Sequence, residues 1–242
     1  MANKDIIALI PARSGSKGVP NKNIMLFNDL PLIAYSIVGA VKSKLIDRVI
    51  VSTDSQEYAE IAIKYGAEVP FLRPKELAGD YSTDQEFFSH TIDWFEKNEL
   101  FVPKYIAHLR PTSPIRDYQI VDEALREFID SQFSALRSCH HMTDSSYKSF
   151  EIEDSKLKRI CNGDFDIEKS NNSRQSYPKT FEANGYIDVI RSDTVQNLGI
   201  LHGNNVKAFI TERTYEIDDR IDVDIMNYFI DAKAELIKSM FS

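Results

Sequence analysis

The sequence predicts a doubly wound, mostly parallel α/β domain with one inserted segment. Two observations carry this reading. Short β-branched runs alternate with longer stretches of helical apolar period, as in strand–helix units with right-handed crossovers. At 242 residues the chain has enough length to bury one sizeable core.

Residues 6–10, an apolar run of strand length, open the domain and stop at Pro11. The loop that follows carries Arg13, Lys17 and Lys22 among Ser14, Gly15, Ser16, Gly18 and Pro20. Small residues let its backbone turn tightly, and its N–H groups and cations suit a polyphosphate. The spacing is neither G-x-x-x-x-G-K-[ST] nor G-x-G-x-x-G, so an ordinary basic surface loop is the competing reading.

Pro31 starts a buried helix carrying Leu32, Ile33, Tyr35, Ile37, Val38 and Val41. Residues 48–52 form the second strand. Asp54 or Ser55 caps the next helix, which shows Tyr58, Ile61, Ala62 and Tyr65 on one face and ends at Gly66. An extended piece (68–74) and a turn lead to a helix over 83–96. Residues 105–109 form a third parallel strand. It ends in Arg110-Pro111-Thr112-Ser113-Pro114, at the edge where open α/β sheets place ligands. A helix carrying Ile120, Val121, Ala124, Leu125, Phe128 and Ile129 precedes a strand at 134–138.

From 139 to 181 polar residues dominate, with short strand-like pieces at 147–152 and 157–160. This predicts an insertion, either a surface excursion or a dimerisation arm, dividing a core of 1–138 and 182–242. Residues 184–190 return to the sheet and 206–211 add a strand. An extended segment at 221–224 leads to a closing helix with Tyr228, Phe229, Ala232, Leu236 and Ile237 on its apolar side. In that segment Asp222 and Asp224, two apart, would point to one side and offer oxygens to Mg²⁺; Asp224 as a helix cap is the alternative.

The net charge of −8 argues against broad nucleic-acid binding but not against a nucleotide, whose divalent cation needs carboxylates. No apolar run approaches the roughly 20 residues of a membrane span. No signal-peptide pattern opens the chain, and the two cysteines give no disulfide framework, so a cytoplasmic location is expected. Cys139-His140-His141 lacks a third ligand at a sensible spacing, and His90 and His108 sit in apolar surroundings that favour core or rim positions.

The stretch IPARSGSKGVPNKN resembles the signature loop of the nonulosonic acid cytidylyltransferases, which make CMP-sialic acid and its relatives from CTP. The resemblance extends to the Asp-x-Asp pair and to R-Q-x-x-P…N-G at Arg174, Pro178, Asn184 and Gly185, covering nearly the whole chain. It implies a Rossmann-like nucleotidyltransferase fold and a homodimer built through the arm. It further implies Arg13, Ser16, Lys17, Lys22, Asn23 and Arg73 on the nucleotide, and Asp222 and Asp224 on Mg²⁺. Arg13, Lys22 and Asp222 are the expected catalytic residues, and Arg110 and Arg174 are candidates for gripping the sugar's carboxylate and polar substituents. Asp54 also matches a family position, though it reads chiefly as a helix cap. Two departures stand out: Arg110 replaces a typical Gln, and Glu182 stands where a basic residue is frequent. Alternative readings are a nucleotidyltransferase for 3-deoxy-octulosonate or a sugar 1-phosphate, or a non-enzymatic nucleotide sensor.

Overall fold

The computed structural model describes residues 5–161 and 163–241. In chain order the strands are β1 (Ile6–Pro11), β2 (Leu26–Phe27), β3 (Leu30–Pro31), β4 (Arg48–Ser52), β5 (Tyr105–His108), β6 (Ala135–His141), β7 (Phe150–Glu153), β8 (Lys156–Arg159), β9 (Phe181–Arg191) and β10 (Val206–Ile210). The helices are α1 (Leu32–Lys42), α2 (Gln56–Lys64), α3 (Asp84–Glu99), α4 (Tyr118–Phe128), α5 (Ser192–Leu198), α6 (Arg220–Ala232) and α7 (Ala234–Phe241).

The central sheet has the order β10-β6-β9-β5-β1-β4. β1 pairs in parallel with β4 and β5, and β6 with β10, while β9 runs antiparallel between β5 and β6. The period of two explains why these strands read as continuous apolar runs: both faces are covered. Ile6, Ala8 and Ile10 enter the cluster beneath α1, α2 and α4. Ile7 and Leu9 enter the one beneath α3 and α5 with Phe88, Ile92 and Phe95. A third cluster ties Val19, Leu32 and Tyr35 to Ile217, Met226, Ile230 and Ile237, so the C-terminal helices brace the loop after β1.

Several boundaries differ from the sequence reading. Ser55, not Asp54, is the N-cap of α2, its hydroxyl accepting from the Tyr58 N–H. The closing helix is already formed at Arg220, so the expected extended segment at 221–224 does not exist. Asp219 is its N-cap, and Asp222 closes a capping box by accepting from the backbone N–H of Asp218 and Asp219 (2.8 and 2.9 Å). Such a cap competes successfully with strand geometry because it satisfies donors that a helix start leaves bare. α5 is short and weakly periodic, and the sequence pattern does not show it. The first three residues of the expected insertion belong to β6, which pairs Cys139 with Ala183 and His141 with Phe181. Beyond them the arm carries the β7–β8 hairpin, turned by Asp154 and Ser155 at positive φ, as a two-residue type I′-like connection requires.

Candidate active site

The chain leaves β1 to form α1 and β4 on one side, then returns to place β5 on the other, which opens a crevice at the carboxyl ends of β1 and β5. A cleft of about 400 Å³ lies there, and Arg13, Ser16, Lys17, Lys22, Asn23, Arg73 and Arg110 all line it. All the expected nucleotide-side residues are therefore gathered at one place.

The loop after β1 is fastened from below. Ser14 donates from its N–H and its hydroxyl to the Asp54 carboxylate (2.9 and 2.8 Å), so Asp54 is a loop anchor rather than a helix cap. Asn23 is buried, and its amide donates to the Arg13 carbonyl at 3.0 Å; its visible role is to shape the loop. Lys22 donates to the Ile217 carbonyl and stands 3.4 Å from Asp218. Lys17 pairs with Asp80 at 2.7 Å, and Arg13 reaches Asp80 at 3.6 Å and the carbonyl of Gly79.

Two glycines are required where the stretch ahead of α6 approaches. A Cβ on Gly18 would lie 2.2 Å from the Asp218 carbonyl oxygen. One on Gly185, whose φ is +59°, would lie 2.3 Å from the Glu216 carboxylate. Along this stretch Ile217 is fully buried while its neighbours Glu216 and Asp218 are not, the alternation of extended chain. Asp218 lines the cleft and meets Lys22, while the Glu216 carboxylate accepts from the Ser113 hydroxyl at 3.3 Å. Asp222 is spent on the cap, and Asp224, two residues along a helix, faces elsewhere. An acidic-x-acidic signal is present at 216–218, masked by the neighbouring aspartates. Burial pushes the Glu216 carboxyl above its ordinary range, against the pull of Arg110.

The floor is built from arginines, of which Arg73 and Arg116 are buried and Arg110 is partly so. Arg73 donates to the Ser52 hydroxyl and carbonyl (2.9 and 2.6 Å) and lies 4.7 Å over the Phe87 ring. Burial lowers it to about 10, leaving it charged at neutral pH. Arg110 is forked between Asp84 (3.0 Å) and Asp188 (3.3 Å). Arg116, 0% exposed, donates to the carbonyls of Tyr186, Arg110 and Gly185 and to the Ser36 hydroxyl, locking the loop after β5 to β9 and α1. Sequence reasoning misses Arg116, Asp188 and Asp84 because long-range pairing leaves no mark on local sequence. His108 is wedged against Phe87 and Phe88, and burial drives it down to about 3, so it is neutral and no base at pH 7.

Arg174 is not brought to this cleft within one chain. It lines a separate hollow on the arm, of about 360 Å³, with His141, Ser145 and Tyr177. Among the described residues no group of three or more His, Cys, Asp or Glu is arranged to hold a metal, so Cys139, His140 and His141 form no such site.

Comparison with known proteins places the chain in a family. Residues 7–190 match the family model described as cytidylyltransferase. The chain belongs to the cytidylyltransferase family. It is 32% identical over 234 residues to the post-translational flagellin modification protein B of Campylobacter coli, covering 95% of this chain and 96% of that protein. It is 32% identical over 232 residues to the CMP-N,N'-diacetyllegionaminic acid synthase of Campylobacter jejuni, with coverage of 95% and 96%. An N-acylneuraminate cytidylyltransferase of Escherichia coli is 35% identical over 223 residues, covering 91% of this chain. The match takes in 51% of that protein, so the cytidylyltransferase here spans about half its length. The fold is shared with a CMP:2-keto-3-deoxy-manno-octonic acid synthetase complexed with CTP, at a TM-score of 0.69 and 16% identity, covering 94% of this chain and 99% of that one.

Proposed function

We propose that this cytidylyltransferase transfers CMP from CTP to the anomeric hydroxyl of a nonulosonic acid, of sialic or legionaminic type, releasing pyrophosphate. The observation that carries the reading is the meeting of the basic loop and the acidic stretch 216–218 across one cleft, joined at Lys22 and Asp218. The names of the relatives support the substrate pair.

In this reading the acceptor hydroxyl attacks the α-phosphorus and the bond to pyrophosphate breaks, with no covalent enzyme intermediate. Arg13, Lys17 and Lys22 hold the triphosphate and stabilise the charge that builds on the departing pyrophosphate. Ser16 and the loop amides add donors, and Arg73 braces the nucleotide side. Glu216 and Asp218 fit a divalent cation better than Asp222 and Asp224, because Asp218 lines the cleft, Glu216 lies two residues before it, and Asp222 is engaged in the α6 cap. When bound, Mg²⁺ would neutralise phosphate charge and lower the pKa of the attacking hydroxyl. A homodimer formed through the arm, with Arg174 serving a neighbouring copy rather than its own cleft, and a cytoplasmic location complete the proposal. Exposed Ile152, Ile160 and Phe165 on the arm support the first of these.

The test is pyrophosphate release from the purified protein with Mg²⁺, each of the four nucleoside triphosphates and a panel of nonulosonic acids. Release with CTP and particular acids supports the proposal and names the acceptor. Release only with another nucleotide or with a sugar 1-phosphate overturns the substrate pair.

A further inference from the structure

Arg110 stands in surroundings unlike those of the other cleft cations. Its Nη1 donates to Asp188 and its Nη2 to Asp84, and Asp188 is 1% exposed. The Arg110 backbone is equally fixed, the carbonyl accepting from Arg116 at 3.1 Å and from Ser36 at 3.3 Å. Behind Asp188 lie Arg137 and His202, at 3.8 and 3.6 Å, within ion-pair range but beyond hydrogen-bond length.

A guanidinium has five N–H donors; the two carboxylate bonds leave three, and Arg110 lines the cleft together with Thr112. Its charge, however, is already met by more than one carboxylate. An anion arriving at this point would gain one cation and face Asp84 and Asp188 together. The rim offers the opposite: Lys17 is 74% exposed and paired with a single carboxylate, Asp80. Anionic groups are therefore served at the rim, and the floor presents a rigid, neutralised donor.

We infer that Arg110 reads an uncharged oxygen of the acceptor, an amide carbonyl or a hydroxyl, and that Asp84 and Asp188 are positioning residues for it. The inference rests on the acceptor reading above and departs from a role for Arg110 in holding the sugar carboxylate. A site built to donate to such an oxygen rejects an analogue without it, because the donor that the bound analogue covers is then left unpaired.

The experiment compares nonulosonic acids that share the carboxylate and differ at one ring substituent, bearing an N-acyl group, a hydroxyl or a free ammonium. With saturating CTP and Mg²⁺, the wild type gives a kcat/KM ratio between best and worst acceptor. Arg110→Gln should shrink that ratio by about tenfold or more. Arg110→Lys, which keeps the charge and loses the fork, should shrink it likewise, and Asp188→Asn in part, with KM for CTP unchanged in all three. An unchanged ratio with equal loss on every acceptor would assign Arg110 to the shared carboxylate and overturn the inference, as would a raised KM for CTP. Should Arg110→Gln fail to fold, Asp84→Asn at the half-exposed partner decides the same ratio. A wild type inactive on every acceptor overturns the proposed function; an active one with an unchanged ratio overturns this inference alone.

Discussion

The rim and the floor of the cleft hold positive charge in different ways. On the rim, Arg13, Lys17 and Lys22 rest on Asp80, Asp218 and backbone carbonyls, contacts a phosphate can replace. On the floor, Arg73, Arg110 and Arg116 are bound to Ser52, Asp84, Asp188 and three β9-side or loop carbonyls; Arg73 and Arg116 are buried, and the Arg110 side chain is 22% exposed. The difference separates binding from architecture: exchangeable partners suit a ligand that comes and goes, whereas buried ones cost too much to break.

That division can be broken most sharply at Lys22. Lys22→Ala should lower pyrophosphate release by about a hundredfold or more while the circular dichroism and melting temperature stay near wild type. A large loss of stability would move Lys22 to the floor. The acidic neighbours give the next contrast. Asp218→Asn should raise the Mg²⁺ needed for half-maximal rate and cut turnover by about a hundredfold. Asp222→Asn should instead cost about 1 kcal/mol of stability through the weakened cap, seen in urea denaturation, with metal dependence unchanged. Reversal of the two outcomes would restore Asp222 to a metal role.

On the floor, Arg116→Ala should destabilise the protein by about 3–5 kcal/mol in urea denaturation, since it opens a cavity and orphans several carbonyls. Stability near wild type would show that water replaces those bonds. His108 adds a pH signature. Its folded pKa, about 3, lies below its ordinary 6.5, so the unfolded chain binds the extra proton first. The stability it contributes is full above pH 6.5 and falls as pH drops toward 3, and His108→Phe should flatten that slope. The smallest effect belongs to Asp80 on the rim. Asp80→Asn should lower KM for CTP by about twofold to fivefold, most at low salt, by removing a carboxylate that competes for Lys17 and Arg13. No change in KM would mean that these cations are held as firmly as those of the floor.

Local sequence encodes the alternating strands and helices, the cleft's place after β1 and β5, and the basic loop from Arg13 to Asn23. These depend on period, turn chemistry and spacing, which neighbouring residues carry among themselves. The short strand-like pieces after residue 139 are legible too, and they pair as β7 and β8. Which acidic pair faces the loop is a different matter, settled by packing. Asp222 and Asp224 have the right spacing, but the Asp219–Asp222 cap draws them into α6, and the stretch ahead of that helix brings Asp218 to Lys22 instead. Packing likewise makes Asp54 anchor Ser14, lets Arg116 lock the loop after β5, and holds Arg110 between Asp84 and Asp188. Each of those contacts joins residues 6 to 78 positions apart in sequence. Pairing over such separations is fixed by how the sheet and helices pack, and a single chain's local pattern does not record it.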